Sequence, residues 1–418
     1  MSSNRSMYAL ILCVLIPVAF APARTLEVKQ GRSAIVKDAP SGTATHLTRL
    51  SAGTRVEHIG DAPRYYSIRL ADGTIGWSYK GHFIEVADAS GTTPPPTKES
   101  LQARSDVLKI IVIDVEVGDA TLIVCPEENG VRDVILIHTG VNDSDRIRAE
   151  LIANGFALGD KPITRFIITH YDTDHFGHAA QIVPRSKVVY DHGDNIKANF
   201  KKDYQALVNK PGIDRRLMTL DYEETFTGGV TIECVAVNQA TDFEPNLAPS
   251  PPESDNANSI ALIVTFGDFD YFTGGDLTKK PEKSLGNGGI RNVDVYHVDH
   301  HGSRSTSSPI EFVRVLDPEV SIASNGTSHG HPTDEVAQRL LGLDPAHRFF
   351  QTNINPDPRA HHPDPKFVAD DTLHEDSEDE NAEGATGTIR LIVDLQADKY
   401  YVVMPGLSLN EGTFPIEP

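Results

Sequence analysis

Three runs of β-branched and aromatic residues end abruptly in histidine and aspartate: "RFIITHYDTDH" at 165–175, "FDYFTGGD" at 269–276 and "DVYHVDHHGS" at 294–303. Runs this apolar read as strands buried on both faces, so each polar end is aimed by the sheet that carries it. A histidine-rich strand end is an odd choice for a core. Three of them in one domain are hard to explain by packing and point to a metal site.

The spacing in "HYDTDH" carries more detail. On an extended continuation of the strand, His170 and Asp172 point the same way by the period of two. Asp174 and His175, at the start of the helix that follows, can turn toward a second point. Two ions about 3.5–4 Å apart are the usual arrangement for hydrolysing esters by in-line attack, and the spacing suits such a centre. The plainer reading is an exposed loop in which Asp174 caps the next helix. Asp276, after the Gly274–Gly275 pair, is placed to bridge two ions. His297, Asp299, His300 and His301 close the third run.

Around these runs, residues 107–405 alternate buried strands such as "VLKIIVIDVEV", "DVILIHTG" and "SIALIVTF" with fewer helices. Helices are expected at "DSDRIRAELIANG", after Phe176, at "PIEFVRVL" and at "TDEVAQRLLGL". Strands in groups with helices between them fit two sheets covered outside by helices better than a doubly wound parallel sheet. "TGTIRLIVD" and "KYYVVM" read as a closing pair of strands.

Before this domain, residues 25–87 are short β-like runs separated by turns, with Asp72–Gly73 a hairpin signal. They predict a small all-β barrel, with Trp77, the only tryptophan, either in its core or, less expected, lining a groove. Residues 88–106, with three consecutive prolines, read as a linker. Residues 1–23 read as a signal peptide: a weakly basic start, an apolar run from Met7 to Ala21, and small residues before an expected cut after Ala23. The mature protein is expected to be exported, periplasmic or extracellular, with no transmembrane channel.

Charge and cysteine content narrow the chemistry. A net charge of −21 disfavours tight binding of duplex DNA, which needs clustered Lys and Arg. Part of that acidity is local, in "DDTLHEDSEDENAE" at 370–383, a solvated loop by composition. No Cys-x-x-Cys pair exists, so a metal would be held by nitrogen and oxygen. Cys125 and Cys234 read as separately buried thiols.

The ordered motifs resemble a metallo-β-lactamase fold, and within it the hydrolase domain of ComEC-type competence proteins. They are "DVEVGD" at 114–119, "HYDTDH", "NANSIALIVTFGDFDYFTGGD", "HHGS" at 300–303 and "HP" at 331–332. Asp172, where most relatives carry histidine, marks that subgroup. Residues 25–87 resemble bacterial SH3-like domains in "LEVKQGRSAIVKDAP", "LSAGTRVEHIG" and "DGTIGWSYKGHF". The expected architecture is therefore α+β, an αββα metallo-β-lactamase sandwich preceded by an SH3-like barrel.

By position, the resemblance gives His170 and Asp172 to one metal, Asp174 and His175 to the other, Asp276 to both, and His300 or His301 to the second. It implies two divalent ions, Zn2+ or Mn2+. Two departures stand out. "ESDNANS" places Asn256 or Asn258 where a further histidine is usual, and amide oxygen is a weaker zinc ligand that favours a harder ion. His138 stands in "VILIHTG" where the pattern has Asp, as a hydrogen-bond partner or an extra ligand. His331 is placed to contact the substrate, while His192 reads as a surface histidine and His361 and His362 as remote.

The implied reaction is hydrolysis of a phosphodiester, or another ester, by an activated water that Asp174 orients or deprotonates. The SH3-like domain implies binding to the cell wall. The alternative is a catalytically weak or inactive protein of this fold, acting as an envelope-binding module.

Overall fold

The computed structural model describes residues 24–29, 32–41, 44–70, 73–86, 96–141, 144–157, 161–193, 201–245, 255–327, 329–370 and 387–416. The expected signal peptide and the acidic stretch after Asp370 lie outside them. Among the described residues no helix is long and apolar enough to cross a membrane. The chain divides into two units, the second beginning at Pro95.

The first unit is a seven-stranded antiparallel sheet between Arg24 and Val86. Alternate residues of its strands (Leu26, Val28, Ala34, Val36, Val56, Tyr66, Ile68, Phe83) form one small core. Trp77 is not part of it. In the strand Ile75–Tyr79, Gly76 and Ser78 are buried while Trp77 is only half-buried, because a period of two sends it to the other face. There it pairs with Ser67, and Tyr65 pairs with Tyr79, so aromatic rings line the face away from the core.

The second unit starts earlier and ends later than the sequence reading placed it. Lys98–Ala103, within the expected linker, is a helix capped by Thr97, and Leu101 packs on Val107, Ile392, Tyr401 and Val403. At the other end, Thr413–Pro415 adds a strand beside Lys399–Val403, with Phe414 and Ile416 in the core.

Among the described residues, two nine-stranded sheets make up this unit. One holds Leu108–Val112, Thr121–Val124, Val134–Ile137, Ile163–Ile167 and Ser186–Asp191 with the closing strands; the other runs from Glu223–Thr225 to Val368–Asp370. Leu108, Ile110, Ile135, Ile137 and Ile167 pack between the sheets against Leu262, Val264, Tyr271, Val295 and Ile322. On the outer face of the first sheet, Ile111, Leu122 and Phe166 meet Ile147 and Leu151 of the helix Ser144–Ala153. The second sheet carries Phe272 and Tyr296 outward against Phe312, Val336 and Leu340 from the helices Ile310–Leu316 and Asp334–Leu341. Both sheets are thus covered outside by helices, giving four layers.

One helix, Lys279–Gly288, was not expected, since "KKPEKSLGNG" carries Pro281 and two glycines. Pro281 sits in the first turn, where its missing N–H has no partner to lose, and Leu285 is fully buried. In place of the longer helix expected after Phe176, a short helix Thr173–Phe176 ends on that residue and is followed by the short helix Ala179–Ile182 and a 3-10 turn at Val183–Arg185.

Each sheet contains a parallel block: Val134–Ile137 beside Ile163–Ile167 in one, and Phe269–Thr273, Val295–His297 and Val320–Ala323 in the other. Parallel strands deliver their C-terminal ends to the same edge. His138, His170, Asp276, His300, His301 and Ser324 all follow directly on these ends.

Candidate metal centre

Asp276 stands at the middle of the cluster. Its Oδ2 lies 3.8 Å from His170 Nε2 and 3.5 Å from His300 Nε2. Its Oδ1 lies 3.2 Å from His175 Nε2 and 3.6 Å from His301 Nε2. Asp172 Oδ2 is 3.9 Å from His170 Nε2. Asp174 Oδ2 is 3.7 Å from His175 Nε2 and 3.5 Å from His301 Nε2.

All six expected ligands therefore converge, with His301 as a seventh. Of the two histidines left open for the second site, His301 stands with Asp174 and His175, while His300 lies on the His170 side of Asp276. The signal that failed is local backbone: His300 (φ 49°, ψ 45°) and His301 (φ 53°, ψ 19°) are both left-handed, which no side-chain pattern announces.

His170 Nε2, His175 Nε2, His301 Nε2 and Asp276 Oδ1 are buried and make no hydrogen bond. The 3.2 Å between His175 and Asp276 is ion-pair range but is not aligned as a hydrogen bond. Buried polar atoms without partners are costly, and these face one another. A divalent cation among them would satisfy all four, so the residues fit one. Other nearby donor sets agree: Asp174, His175 and His301 form one group of potential ligand atoms, and His170, Asp172 and Asp276 another, each within 4.8 Å.

The rings are held from behind. His301 Nδ1–H donates to the Ser324 carbonyl at 2.9 Å. A carbonyl can only accept, so the neutral ring presents a lone pair at Nε2. His170 Nδ1 is 3.0 Å from Thr169 Oγ1, which is 2.8 Å from His138 Nε2; His138 Nδ1 is 3.1 Å from Asp119 Oδ2. Donors along that path run from His170 to Thr169 to His138 to Asp119 and leave His170 Nε2 bare. Ser324 Oγ–H donates to the other Asp119 oxygen at 3.0 Å, and His297 stands behind Ser324 at 2.9 Å. His138 is thus a supporting ring, fully buried, in addition to lying close enough to His170 and His175 to form a third potential ligand group.

Electrostatics follow from this crowding. Burial alone would raise the Asp276 carboxyl, but His175, His300 and the other imidazoles outweigh it and hold it well below the usual range. The same opposition lowers Asp174, where burial is outweighed by His175 and His301. Asp172 goes the other way: burial and the Asp276 charge lift it to about 6. Burial lowers His331 to about 4, with His301 and His300 adding to the effect, so the ring is neutral at pH 7. Its centroid lies 6.5 Å from that of His300, at the rim of the cluster.

Asn256, not Asn258, reaches the cluster: its Nδ2 donates to Asp276 Oδ2 at 2.9 Å, whereas Asn258 Nδ2 points to Asp255 at 3.4 Å. His192 is not a surface residue. It is 3 % exposed, tilted against Tyr171 with ring centroids 4.6 Å apart, and 3.4 Å from Asp255 Oδ2, which also accepts the Tyr171 N–H. His361 bonds to Asp334 and His362 to the Asp357 carbonyl, both away from the cluster. Cys125 and Cys234 are both buried and free.

Residues 113–312 match the Metallo-beta-lactamase superfamily. The chain is 29% identical over 257 residues to ComE operon protein 3 of Bacillus subtilis (strain 168), covering 56% of this chain and 30% of that protein. It thus spans under a third of that relative's length. Among solved structures, a proposed metal-dependent hydrolase from Parabacteroides distasonis aligns with a TM-score of 0.34 and 14% identity, over 58% of this chain and 92% of the other. A long-form RNase Z from yeast aligns with a TM-score of 0.36 and 12% identity, over 61% and 42%.

Proposed function

Starting from a chain that carries a metallo-β-lactamase superfamily domain, we propose an exported, metal-dependent hydrolase that cleaves a phosphodiester with an activated water at two divalent ions, Zn2+ or Mn2+. The observation that carries this reading is the convergence of His170 Nε2, His175 Nε2, His301 Nε2 and Asp276 Oδ1 without hydrogen-bond partners. When bound, such ions supply Lewis acidity, lowering the pKa of water from about 15.7 toward about 7 and offsetting charge on the electrophile.

The chain's own residues do the rest. His170, Asp172, Asp174, His175, Asp276, His300 and His301 would hold the ions, and Asp174, the most accessible carboxylate beside His175 and His301, would also orient the attacking water by accepting its hydrogen bond. His331, kept neutral by burial, would bond the leaving or non-bridging oxygen. The phosphodiester assignment rests on the ComEC-like motif set, and export on the apolar segment at the N-terminus.

In the first unit, the face bearing Tyr65, Trp77 and Tyr79 supports a cell-wall binding role for an SH3-like domain. Retention on insoluble peptidoglycan that falls in Trp77→Ala would bear this out.

The activity is tested with bis-p-nitrophenyl phosphate and short DNA and RNA strands, with Zn2+ or Mn2+ added. Turnover is expected, falling by about 10²–10⁴-fold in Asp174→Asn. Protein that binds no metal and cleaves none of these substrates would instead be the inactive envelope-binding module, the reading that Asn256 in place of a histidine favours.

A further inference from the structure

Asp276 separates two half-sites that are not equally furnished. Around Oδ1 stand Asp174, His175 and His301, two imidazoles and a carboxylate. Around Oδ2 stand His170 and Asp172, while Asn256 donates an amide N–H to that oxygen and so offers it no lone pair. The Oδ2 side is one nitrogen donor short unless another residue supplies it.

His300 is in place to do so. Its Nε2 lies 3.5 Å from Asp276 Oδ2, and its Nδ1 is 2.9 Å from Thr306 Oγ1, which fixes the ring. The backbone explains how two consecutive histidines reach opposite oxygens of one carboxylate. Both occupy the left-handed region, which non-glycine residues rarely adopt and which persists only where the surroundings over-determine it. Here they do: His300 N–H donates to the Gly275 carbonyl at 2.8 Å, Ser303 N–H to the His300 carbonyl at 2.9 Å, and Ser307 Oγ–H to the Asp299 carbonyl at 2.9 Å. The first of these bonds ties the turn to the residue before Asp276, so the two histidines and the carboxylate move as one piece.

We propose that His300 is the third protein donor of the half-site formed by His170, Asp172 and Asp276 Oδ2, replacing the histidine that Asn256 displaces, while His301 belongs to the other. The duplicated histidine is a relocated ligand. The inference rests on the reading of the cluster as a two-ion centre. A second consequence is unequal affinity: on the Oδ2 side His170 is fully buried but Asp172 and His300 are 41% and 21% exposed at the side chain, against 1% for His175, 14% for His301 and 30% for Asp174 on the other, so the Oδ2 side is the more open. It is the half-site expected to fill second.

The test is titration of chelator-stripped full-length protein with Co2+, read by visible absorption and calorimetry, with bound metal counted by mass spectrometry. Wild type is expected to bind two equivalents, the second more weakly. His300→Ala is expected to keep the tight equivalent and weaken the other at least tenfold, whereas His301→Ala loses the tight one. His300→Gly, which suits a left-handed backbone, should show the same metal loss with thermal unfolding no lower than wild type, separating donor loss from misfolding. Asn256→His added to His300→Ala should restore the second equivalent. Two equivalents with wild-type affinity in both His300 variants would overturn the inference and leave the two-ion reading standing. Fewer than two equivalents in wild type would overturn both.

Discussion

His138 Nδ1 lies 3.0 Å from His175 Nδ1, and through Thr169 the same ring supports His170. One fully buried imidazole thus packs against His175, with ring centroids 4.4 Å apart, and hydrogen-bonds toward His170 through Thr169, touching a ligand on each side of Asp276. Burial lowers it to about 4, with His175 adding to the effect, so it is neutral and acts by hydrogen bonding rather than charge. Groups that orient ligand rings typically alter metal affinity by about 10–100-fold. His138→Ala is expected to weaken both equivalents by that order and to cost about 2–4 kcal/mol of stability, from the cavity and the Asp119 oxygen left unpaired. His138→Asp should be at least as harmful, since it sets a second carboxylate beside Asp119. Calorimetric metal titration with thermal unfolding checks this; unchanged affinity in His138→Ala would show that the ring merely fills space.

Gly118 allows the loop after Leu108–Val112 to pass against the metal-binding turn. With φ at +103°, a Cβ there would stand 1.8 Å from the Asp174 carbonyl oxygen, and Asp119 N–H donates to that same oxygen at 3.2 Å. The contact is backbone on backbone, so no rotamer change relieves it. Gly118→Ala is expected to cost roughly 2–4 kcal/mol and to displace Asp174, weakening metal binding alongside stability. A variant that unfolds with wild-type midpoint and binds metal normally would show that the loop can yield.

What was legible in the sequence, and what was not, divides along physical lines. His170, Asp172, Asp174, His175 and Asp276 could be placed because β-branched strands with short polar ends leave little freedom in where a side chain points. The split between His300 and His301 could not, because it depends on two left-handed residues whose conformation is imposed by Gly275, Ser303 and Ser307. His192 was misread for a similar reason: its partner Asp255 is distant in sequence, and only the fold brings the two together behind Tyr171. The helix Lys279–Gly288 runs against local propensity and forms because Leu285 is covered by the second sheet's outer layer and the buried Ser284 hydroxyl bonds to that of Thr241. Trp77 shows the opposite limit. Strand alternation decides its face, but which face is the core depends on neighbouring strands.

Asp114, which opens "DVEVGD", joins the sheets. Its Oδ1 accepts from Asn353 Nδ2 at 2.7 Å across the core edge, and its Oδ2 from Arg146 at 2.8 Å. The carboxylate is 1 % exposed, and losing it removes the ion pair with Arg146 and the acceptor of Asn353 Nδ2 and of the Glu116 N–H, while Arg146 keeps the Asp114 backbone carbonyl and Asn353 the Asn325 carbonyl. Breaking a buried pair from one side costs about 3–5 kcal/mol, and Asp114→Ala is expected to fall near that range in chemical denaturation. Because Asp114 is not among the atoms facing Asp276, the metal count of the folded fraction should stay at the wild-type value. A lower count in folded protein would mean that the sheet junction also positions the ligands.

Asp294 gives the molecule a pH dependence away from the metal centre. Burial lifts its carboxyl to about 7, opposed by the Asp270 N–H that donates to Oδ2 at 2.7 Å and assisted by the charges of Asp270 and Glu319. The sign follows from proton counts. Between the unfolded value of about 4 and the folded value of about 7, the native state holds the proton and the unfolded chain does not, so stability falls as pH rises through that window. Asp294→Asn keeps an acceptor for the Asp270 N–H and removes the charge. It should leave stability at pH 4 nearly unchanged and raise it at pH 8 by roughly 1–3 kcal/mol, after allowing for solvent relaxation around a group that is not fully enclosed. Denaturant melts of both proteins at pH 4, 6 and 8 would read this directly. Parallel pH profiles for wild type and Asp294→Asn would assign the acid-side behaviour to other carboxylates.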